Sequence, residues 1–205
     1  PRLSTADAHG AEAMYALALG RARGTSEDLA GALWALDSAE RRGLDPDRAA
    51  VLRARVLGRQ GRVDDALAVL EGRPDHPAVH AARGRALMAV WRFEEAVVAW
   101  EAVVEAAPRS VEAWASLARS RGSIGDDTGA LEAAREGLRH DPRDVSLLRT
   151  QALAARALGH AQAEAAEAAW LAHRPPDGTD RLRMVCDRAD EECAQRRAIP
   201  VVRVP

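Results

Sequence analysis

Proline recurs at a fixed spacing in the second half of the chain. Pro108, Pro142 and Pro176 are each 34 residues apart, and Gly125 and Gly159 repeat at the same distance. A period of this length is typical of repeat proteins, in which each unit can bury its apolar face only against the next unit. The sequence therefore predicts a row of similar units rather than a single closed core.

Each repeat has the pattern of two helices. In segment 77–110, an amphipathic stretch, a short polar break, a second amphipathic stretch and a proline stop follow one another. Apolar residues of the second stretch recur at steps of three and four, as on one face of an α-helix; they include Ala96, Val97, Trp100, Val103 and Val104. The composition agrees, because 46 alanines beside one Phe and one Tyr favour helices over sheets.

Residues 6–176 divide into five such units, at about 6–46, 47–76, 77–110, 111–144 and 145–176. The second unit is shorter because Gly-Arg-Pro at 72–74 ends its second helix early. Residues 177–205 follow as a separate part, with a charged helix predicted over 179–197 and an extended tail over 199–205. A charged last helix suits a cap that presents polar surface to water.

The repeating unit resembles the tetratricopeptide repeat (TPR), a helix–turn–helix of 34 residues with small residues and a closing proline at fixed places. The matching residues are Ala54, Leu57, Gly61, Ala66 and Leu70 in the second unit, Gly84, Leu87, Ala96, Trp100 and Pro108 in the third, and Trp114, Leu117, Ala118, Ala130, Gly137 and Pro142 in the fourth. The resemblance implies an all-α fold: a right-handed superhelical array of antiparallel helix pairs (a TPR-like solenoid) with a C-terminal capping helix. It also implies protein binding.

Small residues recur on the faces that the two helices of a unit would turn toward each other. They are Ala54, Gly84, Ala118 and Ala152 on first helices, and Ala66, Ala96 and Ala130 on second helices. Two helices approach closely only where the side chains between them are small. We expect large residues such as Trp100 and Trp114 to fill the space between neighbouring units.

An arginine recurs along the first helices. Counted from Ala13, Asp47, Pro77 and Val111, the ninth residues are Arg21, Arg55, Arg85 and Arg119. The fifth unit has Leu153 at this place, with Arg149 and Arg156 about a turn to either side. Because stacked first helices line the concave face of TPR arrays, these residues predict an arginine-lined groove.

Such a groove would take an acidic segment or a C-terminal carboxylate of a partner protein, since guanidinium groups bind carboxylates bidentately. The alternative is that these arginines only favour helix and pair with nearby Glu or water. The carboxylate clamp best known in the TPR family uses Lys and Asn at such places, and this sequence contains neither residue. A chain without Lys and Asn also indicates a GC-rich, bacterial genome.

Cys186 and Cys193 are the only cysteines, seven residues apart. In a continuous helix they would be about 10 Å apart, which is too far for a disulfide. If residues 187–192 interrupt the helix, a disulfide could hold the tail and would indicate an oxidising compartment such as the periplasm. The alternative is a pair of inert thiols in a cytoplasmic protein. Their clustering near the C-terminus favours the disulfide.

Signatures of catalysis and of cofactor binding are missing from the sequence. A P-loop requires the lysine that this chain lacks, and neither G-x-G-x-x-G nor G-x-S-x-G is present. His76 and His80 are four apart, but Pro77 suits the first helical position and leaves His76 outside the helix, so we expect no metal site. A net charge of −2 gives no reason to expect nucleic acid, and no apolar run is long enough to span a membrane.

The sequence therefore predicts a non-catalytic scaffold or adaptor that binds an acidic protein segment in an arginine-lined groove. A second hypothesis is a structural subunit of a larger complex, docked through its convex face, its ends or the tail at 199–205. A third is a non-catalytic helical domain of a longer enzyme.

Overall fold

The computed structural model describes residues 5–173, which form ten α-helices and no β-strand. The helices are α1 (Thr5–Arg21), α2 (Ser26–Arg41), α3 (Pro46–Arg59), α4 (Val63–Leu70), α5 (Pro77–Ala89), α6 (Phe93–Ala106), α7 (Val111–Ser123), α8 (Asp127–His140), α9 (Val145–Ala157) and α10 (Ala163–His173). Consecutive helices pack as five hairpins, from α1/α2 to α9/α10. The predicted all-α class is confirmed. The predicted capping helix, the tail and both cysteines lie outside the described residues.

Polar side chains at the helix starts explain where several helices begin. The Asp45 carboxylate accepts hydrogen bonds from the backbone N–H groups of Asp47 (3.1 Å) and Arg48 (2.9 Å), and Pro46 occupies the first turn of α3. Other caps use the same chemistry: Ser110 for α7, Asp126 for α8 and Asp144 for α9. His76 caps α5 through its Nδ1 atom, outside the helix as the sequence indicated.

The chain divides into two compact units, residues 1–108 and 109–205, which we describe separately. In the first unit, α1 to α6 bury a core whose largest members include Leu36, Leu52, Leu70 and Trp100. In the second unit, α7 to α10 bury Leu117, Leu147 and Trp170. Within the described residues, no helix is long and apolar enough to cross a lipid bilayer.

Close packing inside the hairpins depends on glycine and alanine. A Cβ atom placed on Gly84 of α5 would lie 2.7 Å from the indole ring of Trp100 on α6. A Cβ atom on Gly137 of α8 would lie 2.6 Å from Leu147 and 2.8 Å from Trp114. Trp100 therefore packs against α5 of its own hairpin, where its Nε1–H group also points at the Met88 sulfur at 3.2 Å.

Four of the five turns between the two helices of a hairpin share one backbone conformation. Gly61, Gly125 and Gly159 have φ angles of 77°, 82° and 67°, in the left-handed region that glycine adopts without a steric penalty. Trp91 occupies the same place in the α5/α6 turn with a φ of 65°. A side chain in this conformation costs about 1–2 kcal/mol, so this turn carries strain that the other three avoid.

We expect Gly84→Ala to destabilise the fold by about 1–3 kcal/mol, because the new methyl group must displace the buried ring of Trp100. The matched control is Gly58→Ala in α3, where a Cβ atom would meet no other atom within 4 Å. This second change should stabilise the fold by about 0.5 kcal/mol, because alanine loses less entropy in a helix than glycine. Thermal unfolding followed by circular dichroism measures both, and equal melting temperatures would contradict the packing described.

Candidate functional site

The recurring arginines occupy one register position on the first helices. Arg55, Arg85 and Arg119 each lie four residues before the last residue of α3, α5 and α7. The same position is Leu17 in α1 and Leu153 in α9, whose side chains are 40% and 36% exposed. The position thus carries arginine in three hairpins and an exposed leucine in two.

A groove lies between α3 and α5 in the first unit, with a volume of about 210 Å³. We call it the α3/α5 groove. Its floor consists of residues without long side chains, namely Ala54, Gly58, Ala82, Ala86 and Ala89. Three arginines line it as well: Arg55, Arg59 and Arg85. The small side chains that allow close helix packing thus also leave an apolar depression with cationic groups around it.

Arg55 lies near several other positive charges. The pKa of Arg55 is lowered, first by partial desolvation and then by the positive charges of Arg85, Arg23 and Arg59, while Tyr15 acts in the opposite direction. Arginine stays protonated in spite of such a shift. Within residues 5–173, no carboxylate forms an ion pair with Arg55. Arg55 therefore carries a positive charge that no carboxylate of the described residues neutralises by an ion pair.

Other arginines of the same unit behave differently. Arg53, two residues before Arg55 on α3, pairs with Asp37 at 2.8 Å and also with Glu40. Arg48 pairs with Glu12 at 2.6 Å and lies over the ring of Tyr15. Pairing with a carboxylate is thus common for arginines in this unit, and Arg55 departs from it.

The neighbours of Arg55 are held in place by contacts of their own. Arg59 donates hydrogen bonds to the backbone carbonyl groups of Ala22 and of Gly24, the latter at 3.2 Å. The Arg85 guanidinium lies over the ring of Trp100, 5.6 Å from the ring centre. These contacts restrict the directions in which both guanidinium groups can point.

A second groove lies in the second unit, where α7, α8 and α9 enclose about 400 Å³. We call it the α7/α9 groove. It is lined by Arg119 and Arg149, by apolar groups of Leu153, Ala154 and Ala157, and by hydroxyl groups of Ser123, Ser146 and Thr150. Asp127 adds one carboxylate. This groove is more polar than the α3/α5 groove, and its charge is mixed.

Two of the six predicted arginines lie elsewhere. Arg156 forms an ion pair with Glu167 of α10 at 3.4 Å, inside its own hairpin. Arg21 is the last residue of α1 and lies against α2, with its guanidinium 2.2 Å from where a Cβ atom on Gly31 would stand. Neither residue is among those that line the two grooves. The structure brings Arg55 together with Arg85, and Arg119 together with Arg149.

Sequence reasoning missed three residues of the α3/α5 groove and its surroundings. Arg59 follows Arg55 by four positions, so the helical spacing alone could have placed it on the same face. Gly58 lies inside a predicted helix, where glycine is unfavourable, and this could have drawn attention to it. Arg23 lies in the turn between α1 and α2, and no periodicity points to it.

A third depression of about 420 Å³ lies beside α4, α5 and α6. Its lining carries carboxylates and guanidinium groups together, from Asp64, Glu71, Glu95, Arg83 and Arg92. Arg92 binds Glu95 at 2.5 Å, so opposite charges in this depression neutralise each other. It lacks the excess of one sign that distinguishes the α3/α5 groove.

The α3/α5 groove is suited to binding rather than to acid–base chemistry. Its charged groups are guanidinium groups, which do not give up a proton near neutral pH, and its floor consists of methyl and backbone groups. Among the described residues, no group of His, Cys, Asp or Glu is arranged to hold a metal ion. The arrangement places guanidinium groups, which donate hydrogen bonds, beside small apolar groups.

The fold is that of a TPR-like helical repeat protein. Solved structures with the same fold include MamA 41-end from Desulfovibrio magneticus RS-1, with a TM-score of 0.68 and 19% identity over 84% of this chain and 97% of that chain. MamA AMB-1 matches with a TM-score of 0.65 and 18% identity over 83% of this chain and 100% of that chain. MamA MSR-1 matches with a TM-score of 0.65 and 18% identity over 83% of this chain and 97% of that chain.

At these identities the likeness shows a shared fold. No protein-family model matches the sequence, and no curated protein matches it significantly. The shared fold therefore says nothing about the role of the residues in the two grooves.

We expect Arg55→Gln to leave the free energy of unfolding unchanged or to raise it, because the change removes a charge that lies among Arg85, Arg23 and Arg59. Arg53→Gln, two residues away, should lower it by about 1 kcal/mol, because Asp37 and Glu40 lose their partner. Urea denaturation at low ionic strength measures both variants. An Arg55 variant as unstable as the Arg53 variant would show that Arg55 has a structural role.

Proposed function

We propose that this protein is a non-catalytic scaffold that binds an acidic segment of a partner protein along its first-helix grooves. The observation that carries the proposal is the unpaired charge at Arg55, beside Arg85 and Arg59 and next to an apolar floor. A protein does not gain stability from such an arrangement, whereas a carboxylate ligand would supply the charge that it lacks.

The ligand that fits the α3/α5 groove is a peptide rather than a small anion. A small anion would need the guanidinium groups only, and would leave the floor of Ala54, Gly58, Ala82 and Ala86 in contact with water. A segment with an acidic residue next to a small apolar residue would use both parts of the groove. The exposed Leu17, at the register position of Arg55 in α1, adds apolar surface on the same set of helices.

We propose the same kind of recognition for the α7/α9 groove of the second unit. Arg119 and Arg149 line it, and Leu153 takes the register position that arginine occupies in α7. Its hydroxyl groups suit the backbone or the polar side chains of a bound segment. We propose that the α7/α9 groove binds an acidic segment in its own right.

The fold supports a scaffold role, because stacked helical hairpins present extended surfaces that bind other proteins. The MamA structures share this TPR-like fold. The composition of the grooves supports the acidic character of the ligand.

We expect a short peptide of alternating Glu and Ala to bind, with an affinity that falls as the salt concentration rises. Arg55→Glu should weaken this binding at least about tenfold, since it removes one charge-assisted contact and adds a repulsive one. The matched control is Arg143→Glu, the same change of charge in the exposed turn between α8 and α9. Fluorescence anisotropy of the labelled peptide measures all three proteins.

A second variant tests the shape of the α3/α5 groove independently of its charge. Gly58→Leu should block the α3/α5 groove without altering any charge, because the space above Gly58 is open and the fold can accept a larger side chain there. We expect weaker peptide binding with an unchanged melting temperature. If Arg55→Glu and Arg143→Glu weaken binding equally, the protein attracts the peptide only through its overall charge, and the proposed function is wrong.

A further inference from the structure

Trp91 has an exposed position that the fold does not require. It lies in the turn between α5 and α6, its side chain is 79% exposed, and its φ angle is 65°. The corresponding residues of three other hairpins are Gly61, Gly125 and Gly159, which adopt this backbone conformation without strain. The chain thus places its largest side chain on the surface at a position where glycine would fold more easily.

Trp91 contacts one other aromatic ring, and further exposed apolar side chains lie near it in the sequence. The ring of Phe93 meets the Trp91 ring edge to face, with 5.8 Å between the ring centres. Val90 before it is 38% exposed, and Val98 on α6 is 67% exposed. We call Trp91, Phe93 and the exposed side of α6 the Trp91 face. Exposed aromatic groups of this kind are typical of the centres of protein interfaces.

The charge of α6 determines which partner this face suits. The helix contains four glutamates and no basic residue. Glu94, Val98, Glu101 and Glu105 follow each other at steps of four, three and four, so they form one stripe along the helix. Glu95 is bound by Arg92 at 2.5 Å, whereas Glu94 and Glu105 form no ion pair with any other residue of the described range.

We propose that the Trp91 face docks a basic segment of a partner protein. An arginine or lysine of that segment would stack on the exposed indole of Trp91, because the face of an indole ring attracts cations more strongly than that of any other side chain. Neighbouring basic residues would lie along the acidic stripe of α6. Charge complementarity selects this occupant over an acidic segment or a nucleic acid, both of which the stripe would repel.

This surface is separate from the α3/α5 groove and has the opposite charge. The groove carries Arg55, Arg59 and Arg85 on the first helices, whereas the acidic stripe runs along the second helix α6. One chain could therefore hold an acidic segment and a basic segment at the same time. The proposal does not depend on the groove, and each surface can fail its test independently.

The test uses a labelled short peptide of alternating Arg and Ala, with the whole chain at low ionic strength. Trp91→Gly should weaken binding of this peptide at least about fivefold, which corresponds to the loss of one cation–π contact. The control is Trp34→Ala, which removes the other tryptophan that is more than half exposed, 59%, on α2. This control should bind the peptide as the unchanged protein does.

Stability measurements separate docking from a structural role. Since three other turns use glycine at this place, Trp91→Gly should keep or raise the melting temperature while binding is lost. A double change, Glu94→Gln with Glu105→Gln, should also weaken binding and leave the fold intact, because both side chains are exposed. Binding of the acidic Glu–Ala peptide should stay unchanged in all these variants.

Three results would overturn the proposal. The first is an Arg–Ala peptide that does not bind, and the second is equal binding by the Trp91→Gly and Trp34→Ala proteins. The third comes from analytical ultracentrifugation: self-association that disappears in the Trp91→Gly protein would show that a second copy of this chain occupies the face instead of a partner's basic segment.

Discussion

The distance between helix axes depends on a few positions where no side chain, or only a methyl group, separates two helices. At Gly84 and Gly137 a single added carbon would collide with Trp100, Trp114 or Leu147. Small side chains also form the floor of the α3/α5 groove, which includes Ala54, Ala82 and Ala86. Close helix packing and the apolar depression thus have one physical origin. Residues small enough for helices to approach also leave a depression wherever no third element covers them.

Arg55 lies in this depression with a charge that no carboxylate of the described residues pairs with, and we propose that a ligand supplies the missing charge. Its near neighbour Arg53 is neutralised by Asp37 and Glu40, whereas Arg55 lies among other cations. Uncompensated charge of this kind is common where a protein is organised for a ligand rather than for itself. The turn at Trp91 is similar in one respect. Its backbone conformation is strained, and the side chain is exposed and does not contribute to the core.

The fold could be predicted from the sequence because the same residue pattern occurs in several consecutive units. The period of 34, the alternation of amphipathic stretches and the small positions each indicated helical hairpins. Site residues were harder to predict. Counting from proposed unit starts selected Arg21, whereas the helix ends give Leu17 the register of Arg55. Which arginines are neutralised depends on carboxylates far away in sequence, such as Asp37 for Arg53 and Glu167 for Arg156, and periodicity does not contain that information.

The most direct test of the account is to map where an acidic peptide binds, residue by residue. In ¹H–¹⁵N correlation spectra of the isotope-labelled protein, titration with the Glu–Ala peptide should shift the amide signals of Gly58, Ala82 and Ala86. The signals of the Trp91 face should stay in place. Binding of an acidic segment in the α3/α5 groove is contradicted if the peptide shifts the signals of residues in α4 and α6, such as Ala68 and Val98, and leaves those of Gly58, Ala82 and Ala86 unchanged.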